Sequence, residues 1–145
     1  MNMQNSKLVG STLSTNCKLS GSQCLKSKME KAKMNKVPYA LVVISLMYAM
    51  VCNSPDIGYV VGVVSRYMSN PGREHWVAVK WLLQYLRGTS DVCLQFGLGN
   101  PTLEGYTDSD MLVDVDTNRS TSRYVMTYAG GAVSWQSRLQ KVVAL

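Results

Sequence analysis

Apolar residues recur along this chain with two periods, a helical one before residue 90 and a strand-like one after it. Residues 1–36 are rich in Ser, Asn, Lys and Gly and show no apolar period, so they read as an extended or disordered arm. Pro38 then opens an apolar run from Tyr39 to Cys52 that predicts a helix. Asn53-Ser54-Pro55-Asp56 follows as a second helix start: Ser54 can cap, Pro55 suits the first helical position, and Asp56 faces the positive end of the dipole. The Val- and Gly-rich run over 57–69 would tolerate a strand, but its cap and length predict a helix. Asn70-Pro71-Gly72 breaks the chain and starts another helix. Its stripe is Trp76, Val79, Leu82, Leu83 and Leu86, with Lys80, Gln84 and Arg87 opposite and Gly88-Thr89 at its end. From Asp91 the period becomes two. Strands are predicted over 92–96, 103–111, 122–129 and 132–136, with turns at Asn100-Pro101 and Gly130-Gly131. Helices followed by antiparallel strands give an α+β class, or a junction of two domains near 88–101.

Charge sharpens this division. The net charge is +6, and it belongs to the arm. Lys7, Lys18, Lys26, Lys28, Lys31, Lys33 and Lys36 stand there against Glu30, whereas residues 37–145 carry equal numbers of basic and acidic side chains. The basic character is therefore a property of the N-terminal segment, which reads first as a solvated linker and second as an arm that touches phosphates. Cys17, Cys24, Cys52 and Cys93 form no C-x-x-C pair, and with one histidine they offer no zinc site. Cys52 and Cys93 lie in apolar runs and read as buried thiols, without structural disulfides. The first apolar run begins near Val37, too far from Met1 for a signal peptide. At fourteen residues the run 39–52 is shorter than the roughly 18 a spanning helix needs, so it reads as a buried helix.

Candidate chemistry concentrates in 105–116, GYTDSDMLVDVD. With Glu104 it holds five of the chain's nine acidic residues. Strand alternation places Tyr106, Asp108 and Asp110 on one face. Two carboxylates on one face repel unless they are solvated or share a cation, so the choice lies between a metal ligand and a solvated edge strand. Two-metal chemistry needs three or four converging carboxylates, and no Asp or Glu follows Asp116. A calcium loop fails in both alignments: from Asp108 the fifth position is Leu112, and from Asp114 the required Gly is Arg119 and the closing Glu is Val125. His75, next to Trp76 at a helix start, reads as a surface or capping residue. Trp76 and Trp81 read as core or subdomain contacts. No Ser or Cys has a His–Asp partner set, and Asn118-Arg119-Ser120 is a glycosylation sequon without a secretory context.

A series of short words adds a resemblance. In order they are Val37-Pro38-Tyr39-Ala40, Ser45-Leu46-Met47-Tyr48-Ala49-Met50, Pro55-Asp56-Ile57, Arg66-Tyr67-Met68-Ser69-Asn70-Pro71, His75-Trp76 and Leu86-Arg87-Gly88-Thr89. Gly105-Tyr106-Thr107-Asp108, Arg119-Ser120-Thr121-Ser122 and Ser134-Trp135-Gln136-Ser137 follow. Together they closely resemble the Pol polyprotein of copia-type LTR retrotransposons of plants, over nearly the whole chain and more loosely in the arm. The resemblance implies three parts: a basic arm over 1–36, the helical C-terminal segment (thumb and connection) of a reverse transcriptase over 37–90, and the first strands of an incomplete ribonuclease H-like domain over 91–145. It places Asp108 at the family's first ribonuclease H carboxylate, a ligand of two Mg2+ ions, with Asp110 and Asp114 as lesser metal candidates. The implied partner is an RNA–DNA hybrid or other nucleic acid, with no small-molecule substrate and no membrane, in an intracellular setting. The family's reverse-transcriptase aspartate pair has no match here, nor does the later Ser-Thr-Glu-Ala-Glu-Tyr helix. The expectation is therefore a truncated, catalytically incomplete copy. The alternatives are a non-enzymatic nucleic-acid-binding fragment and a gene remnant or small membrane-associated protein built on 39–52. The sequence also departs from the family pattern. Leu41 and Ile44 stand for Ser and Gly, Asn53-Ser54 for Thr-Arg, Met111-Leu112-Val113 for Trp-Ala-Gly, and Arg123 for Gly. Bulky residues in small sites would overpack by about 1–3 kcal/mol each where buried.

Overall fold

The computed structural model describes residues 6–14, 17–110 and 114–141, the side chain of Asp110 excepted. Four helices precede a three-stranded sheet: α1 (Lys28–Met34), α2 (Tyr39–Cys52), α3 (Gly58–Ser65), α4 (Arg73–Gly88), β1 (Leu103–Asp110), β2 (Thr121–Tyr128) and β3 (Gly131–Leu139). The α+β expectation holds at this level.

The core forms where the helical stripes meet. α2 contributes Tyr39, Val43 and Leu46, and α4 contributes His75, Ala78, Val79 and Leu82. Between them α3 buries Gly58, Val60, Val61, Val63 and Val64, and only the side of Tyr59, Gly62 and Ser65 is partly open. This explains why a β-branched run is helical: burial of all four valines outweighs a propensity difference of a few tenths of a kcal/mol per residue. The Tyr39 hydroxyl donates to the Val64 carbonyl at 2.8 Å, which ties α2 to the end of α3. The helix start before α3 differs in detail from the expected one. Pro55 opens a 3-10 turn, Pro55–Ile57, and the Ser54 hydroxyl donates to the Asn53 side chain rather than capping. Asp56 instead accepts from the Tyr85 hydroxyl of α4, a bond that, with burial, raises that phenol to about 12. The predicted helix over 57–69 is also shorter, because the backbone passes into turns after Ser65.

Two further expectations change. α2 is apolar all round but only half enclosed: Leu41, Ile44, Tyr48 and Val51 form an exposed stripe. Cys52 ends that exposed side, and Cys93 lies in an exposed segment, so neither is the buried thiol expected; all four cysteines are free. The run 92–96 is not a strand. Val92 and Phe96 are both exposed, the backbone turns at Gly97 with φ +85°, and the segment touches the β2–β3 hairpin through a Gly97 N–H bond to the Ala129 carbonyl at 2.9 Å and through Gln95 and Phe96 beside Gly131. Among the described residues no single helix is long and apolar enough to cross a membrane; α1 and α2 meet the test only as a pair bent by 51°.

The sheet is an antiparallel meander in the order β1-β2-β3. Ala129 (φ 48°) and Gly130 (φ 83°) make the two-residue turn between β2 and β3, with both residues left-handed as a right-twisted hairpin requires. One register irregularity falls between Met126 and Thr127. β3 rests on the helices: the Trp135 indole donates to the Met50 carbonyl at 2.7 Å, and a side chain on Gly58 would touch Ser137.

The N-terminal segment is a strap rather than a loose arm. It contains a 3-10 turn (Gly21–Gln23) and α1, and Leu19 is buried in the core. Asn70 donates to the Leu25 carbonyl, the Trp81 indole to Ser11 and Arg87 to Ser6. At Gly72 the strap comes so close that a Cβ would lie 1.9 Å from the Gln23 carbonyl.

The exposed stripe of α2 and the buried stripe of α4 should respond differently to truncation. Leu82→Ala is expected to cost about 2–5 kcal/mol, and Ile44→Ala less than about 1 kcal/mol, in urea denaturation followed by circular dichroism. Equal losses would show that the outer side of α2 is core.

Candidate functional site

The acidic residues of 104–116 separate into two groups. Alternation along β1 carries Glu104, Tyr106 and Asp108 to the face that looks toward the helices, and the Tyr106 hydroxyl donates to Glu104 at 2.8 Å. Asp108 lies directly across from Arg123 on β2. Arg123 Nη2 donates to Asp108 Oδ2 at 2.9 Å, and the guanidinium carbon sits 5.7 Å from the centre of the Tyr59 ring on α3. The Asp108 side chain keeps 66% of its surface in contact with water. The pair lies in a cleft of about 440 Å³ between sheet and helices, whose lining includes Pro55, Asp56, Tyr59, Tyr106, Val125 and Trp135 besides the pair itself.

Asp114 and Asp116 point elsewhere. Asp114 pairs with Arg66, just after α3, and its other oxygen accepts from the Thr117 amide and hydroxyl, closing a turn. Asp116 accepts from the Gly21 amide at 2.9 and 2.7 Å and from the Tyr67 hydroxyl at 2.9 Å. These two carboxylates fasten the β1–β2 connection to the helices and the strap. The side chain of Asp110 lies outside the described residues. Among those residues no three His, Cys, Asp or Glu side chains converge. Asp108 and Asp114 are thus not brought together, and each already meets a guanidinium. This donor set does not fit a two-metal centre.

His75 departs furthest from expectation. It is fully buried rather than on the surface, although it does cap the start of α4, as expected, from the third helical position. Its ring stacks on Tyr67 with centroids 3.9 Å apart and planes 8° from parallel. The Gly72 amide donates to Nδ1 at 2.8 Å, so Nε2 carries the proton and faces the Ser20 carbonyl at 3.2 Å. Burial lowers the imidazole pKa, against a smaller opposing effect of the Ser20 carbonyl and nearby acids. A signal for this was present, since His75 falls on the stripe of Val79 and Leu82, one turn earlier. Arg123 was legible only as a departure from a family pattern, because its partner is set by hairpin register.

Over 144 residues, 99% of the chain, the sequence is 56% identical to the retrovirus-related Pol polyprotein from transposon TNT 1-94 of Nicotiana tabacum, and it spans 11% of that polyprotein. It is 38% identical over 106 residues, 72% of the chain, to the retrovirus-related Pol polyprotein from transposon RE2 of Arabidopsis thaliana, of which it spans 7%. It is also 44% identical over 113 residues, 77% of the chain, to secreted RxLR effector protein 161 of Plasmopara viticola, spanning 80% of that protein. No family model and no solved structure matches the chain.

The buried imidazole gives a signed pH dependence. In the unfolded chain His75 takes a proton near pH 6.5, whereas the folded pKa lies lower. Between those values the unfolded state binds more protons, so stability falls as pH drops. Melting temperature should decline from pH 7.5 to 5 more steeply in the wild type than in His75→Gln. Parallel declines would remove His75 as the cause.

Proposed function

The chain belongs to the retrovirus-related Pol polyproteins of copia-type transposons, and from that premise we propose that it is the stretch where the helical end of a reverse transcriptase passes into the first strands of a ribonuclease H-like domain. In this reading it holds an RNA–DNA hybrid and is catalytically incomplete by itself. The observation that carries the reading is the order of layers: a helical unit, then a β1-β2-β3 meander whose first strand presents Asp108. β1 pairs with β2 alone among the described residues, which leaves its other edge open to a further strand. Copying RNA into DNA and cutting the RNA of the hybrid are activities proposed for the whole polyprotein. Magnesium ions would supply the hydroxide and steady the leaving oxygen there. The residues described here do not form that centre, and no step is assigned to it.

Contact with a hybrid would run through the exposed lysines on and around α1: Lys26, Lys28, Lys31, Lys33 and Lys36. Five cations within eleven residues, opposed only by Glu30, suit a phosphate backbone and carry no sequence preference.

One observation favours a second reading. The chain covers most of an effector protein at 44% identity, so the same fold could serve as a free-standing secreted effector. A labelled RNA–DNA hybrid with Mg2+ separates the two. The first reading expects no cleavage by wild type or Asp108→Asn. It expects retention that weakens with added salt, by about 0.9 in log–log slope for each phosphate contact. Replacing Lys28, Lys31 and Lys33 with Gln should flatten that slope. Cleavage abolished by Asp108→Asn would overturn the incompleteness, and absence of retention at low salt would favour the effector.

A further inference from the structure

We infer that Arg123 is a tethered cation that occupies Asp108 in place of a dissolved metal ion, so that the charge on one β2 side chain decides whether this carboxylate can bind one. Opposed residues of an antiparallel pair have Cβ atoms about 4.5–5.5 Å apart, within reach of a direct Asp–Arg contact. The register sets Asp108 against Arg123, and the contact forms at 2.9 Å. The guanidinium is held from a second side by the Tyr59 ring, which the helical layer supplies. Arg123 therefore has contacts on both walls of the cleft, where a mobile surface arginine would have none. A divalent ion approaching Asp108 must displace the Arg123 contact or share the carboxylate with a fixed positive charge. Either route disfavours binding, and a guanidinium cannot be deprotonated to relieve it.

The inference deepens the reading of Asp108 given above, yet it is independent of whether the chain holds a hybrid, since its readout is cation binding alone. Terbium(III) is a suitable probe because Tyr59, Tyr106 and Trp135 line the cleft and can sensitise its luminescence. Arg123→Gln removes the charge and keeps most of the stem, whereas Arg123→Lys keeps the charge. Arg123→Gln should bind terbium at least about tenfold more tightly than wild type and Arg123→Lys no better than wild type. Adding Asp108→Asn to Arg123→Gln should abolish the gain. Equal binding by the Gln and Lys variants, or a gain that survives Asp108→Asn, would overturn the proposal. Wild-type protein supplies a test that needs no variant to fold. Manganese(II) at millimolar concentration should leave the NMR amide signals of Thr107, Asp108 and Ser109 unbroadened, and selective broadening there would equally overturn it.

Discussion

The burial of α3 is the constraint on which the rest of this structure depends. An eight-residue helix whose Val60, Val61, Val63 and Val64 are all enclosed cannot be stable alone, since so short a helix is marginal in water. Its stability is borrowed from α2 and α4 on one side and from β3 on the other. Gly58 is where the sheet packs on it, beside Ser137, and the Tyr39 hydroxyl satisfies a carbonyl at its far end. The two layers therefore meet at one element. The cleft that contains Asp108 exists because Tyr59, on the first turn of this helix, reaches toward β2.

Around this apolar contact runs a ring of polar ties. Asp116 joins the β1–β2 connection to Gly21 and Tyr67, Tyr67 stacks on His75, and His75 holds the Gly72 amide and faces the Ser20 carbonyl. The Gly72–His75 bond pairs groups that would otherwise be costly to bury, and together the ties bring the N-terminal strap, the start of α4 and the β1–β2 connection to one place. Two of the four carboxylates in the acidic stretch thus hold structure together. Asp108 points into the cleft, where it meets a cation supplied by the chain itself. The hairpin register explains why its charge is already matched.

Much of the secondary structure was legible in the sequence, because its causes are local. The apolar run 39–52, the stripe of Val79 and Leu82 and the period-two segments of the sheet each declare their geometry within a few residues, whereas the turn expected at Gly130-Gly131 falls one residue earlier, at Ala129-Gly130. The segment 92–96 shows the limit of this reasoning: its alternation suits a strand, but a strand also needs ladder pairing with a neighbour, and this segment makes none. The candidate site was legible only in part. Asp108 stood out by type and spacing, whereas its pairing with Arg123 and the diversion of Asp114 and Asp116 depend on residues far away in the chain.

By itself, the sequence determined the succession of helices by antiparallel strands, the α+β class and the lysine-rich character of the first 36 residues, since period, turn chemistry and charge are properties of neighbours. Tertiary structure alone decided that one side of α2 faces water, that His75 is buried and neutral in form, that the strap is pinned, and that Asp108 meets a guanidinium. Each of those outcomes depends on which groups from distant segments arrive at the same point, and burial and electrostatic energy are set by that arrival.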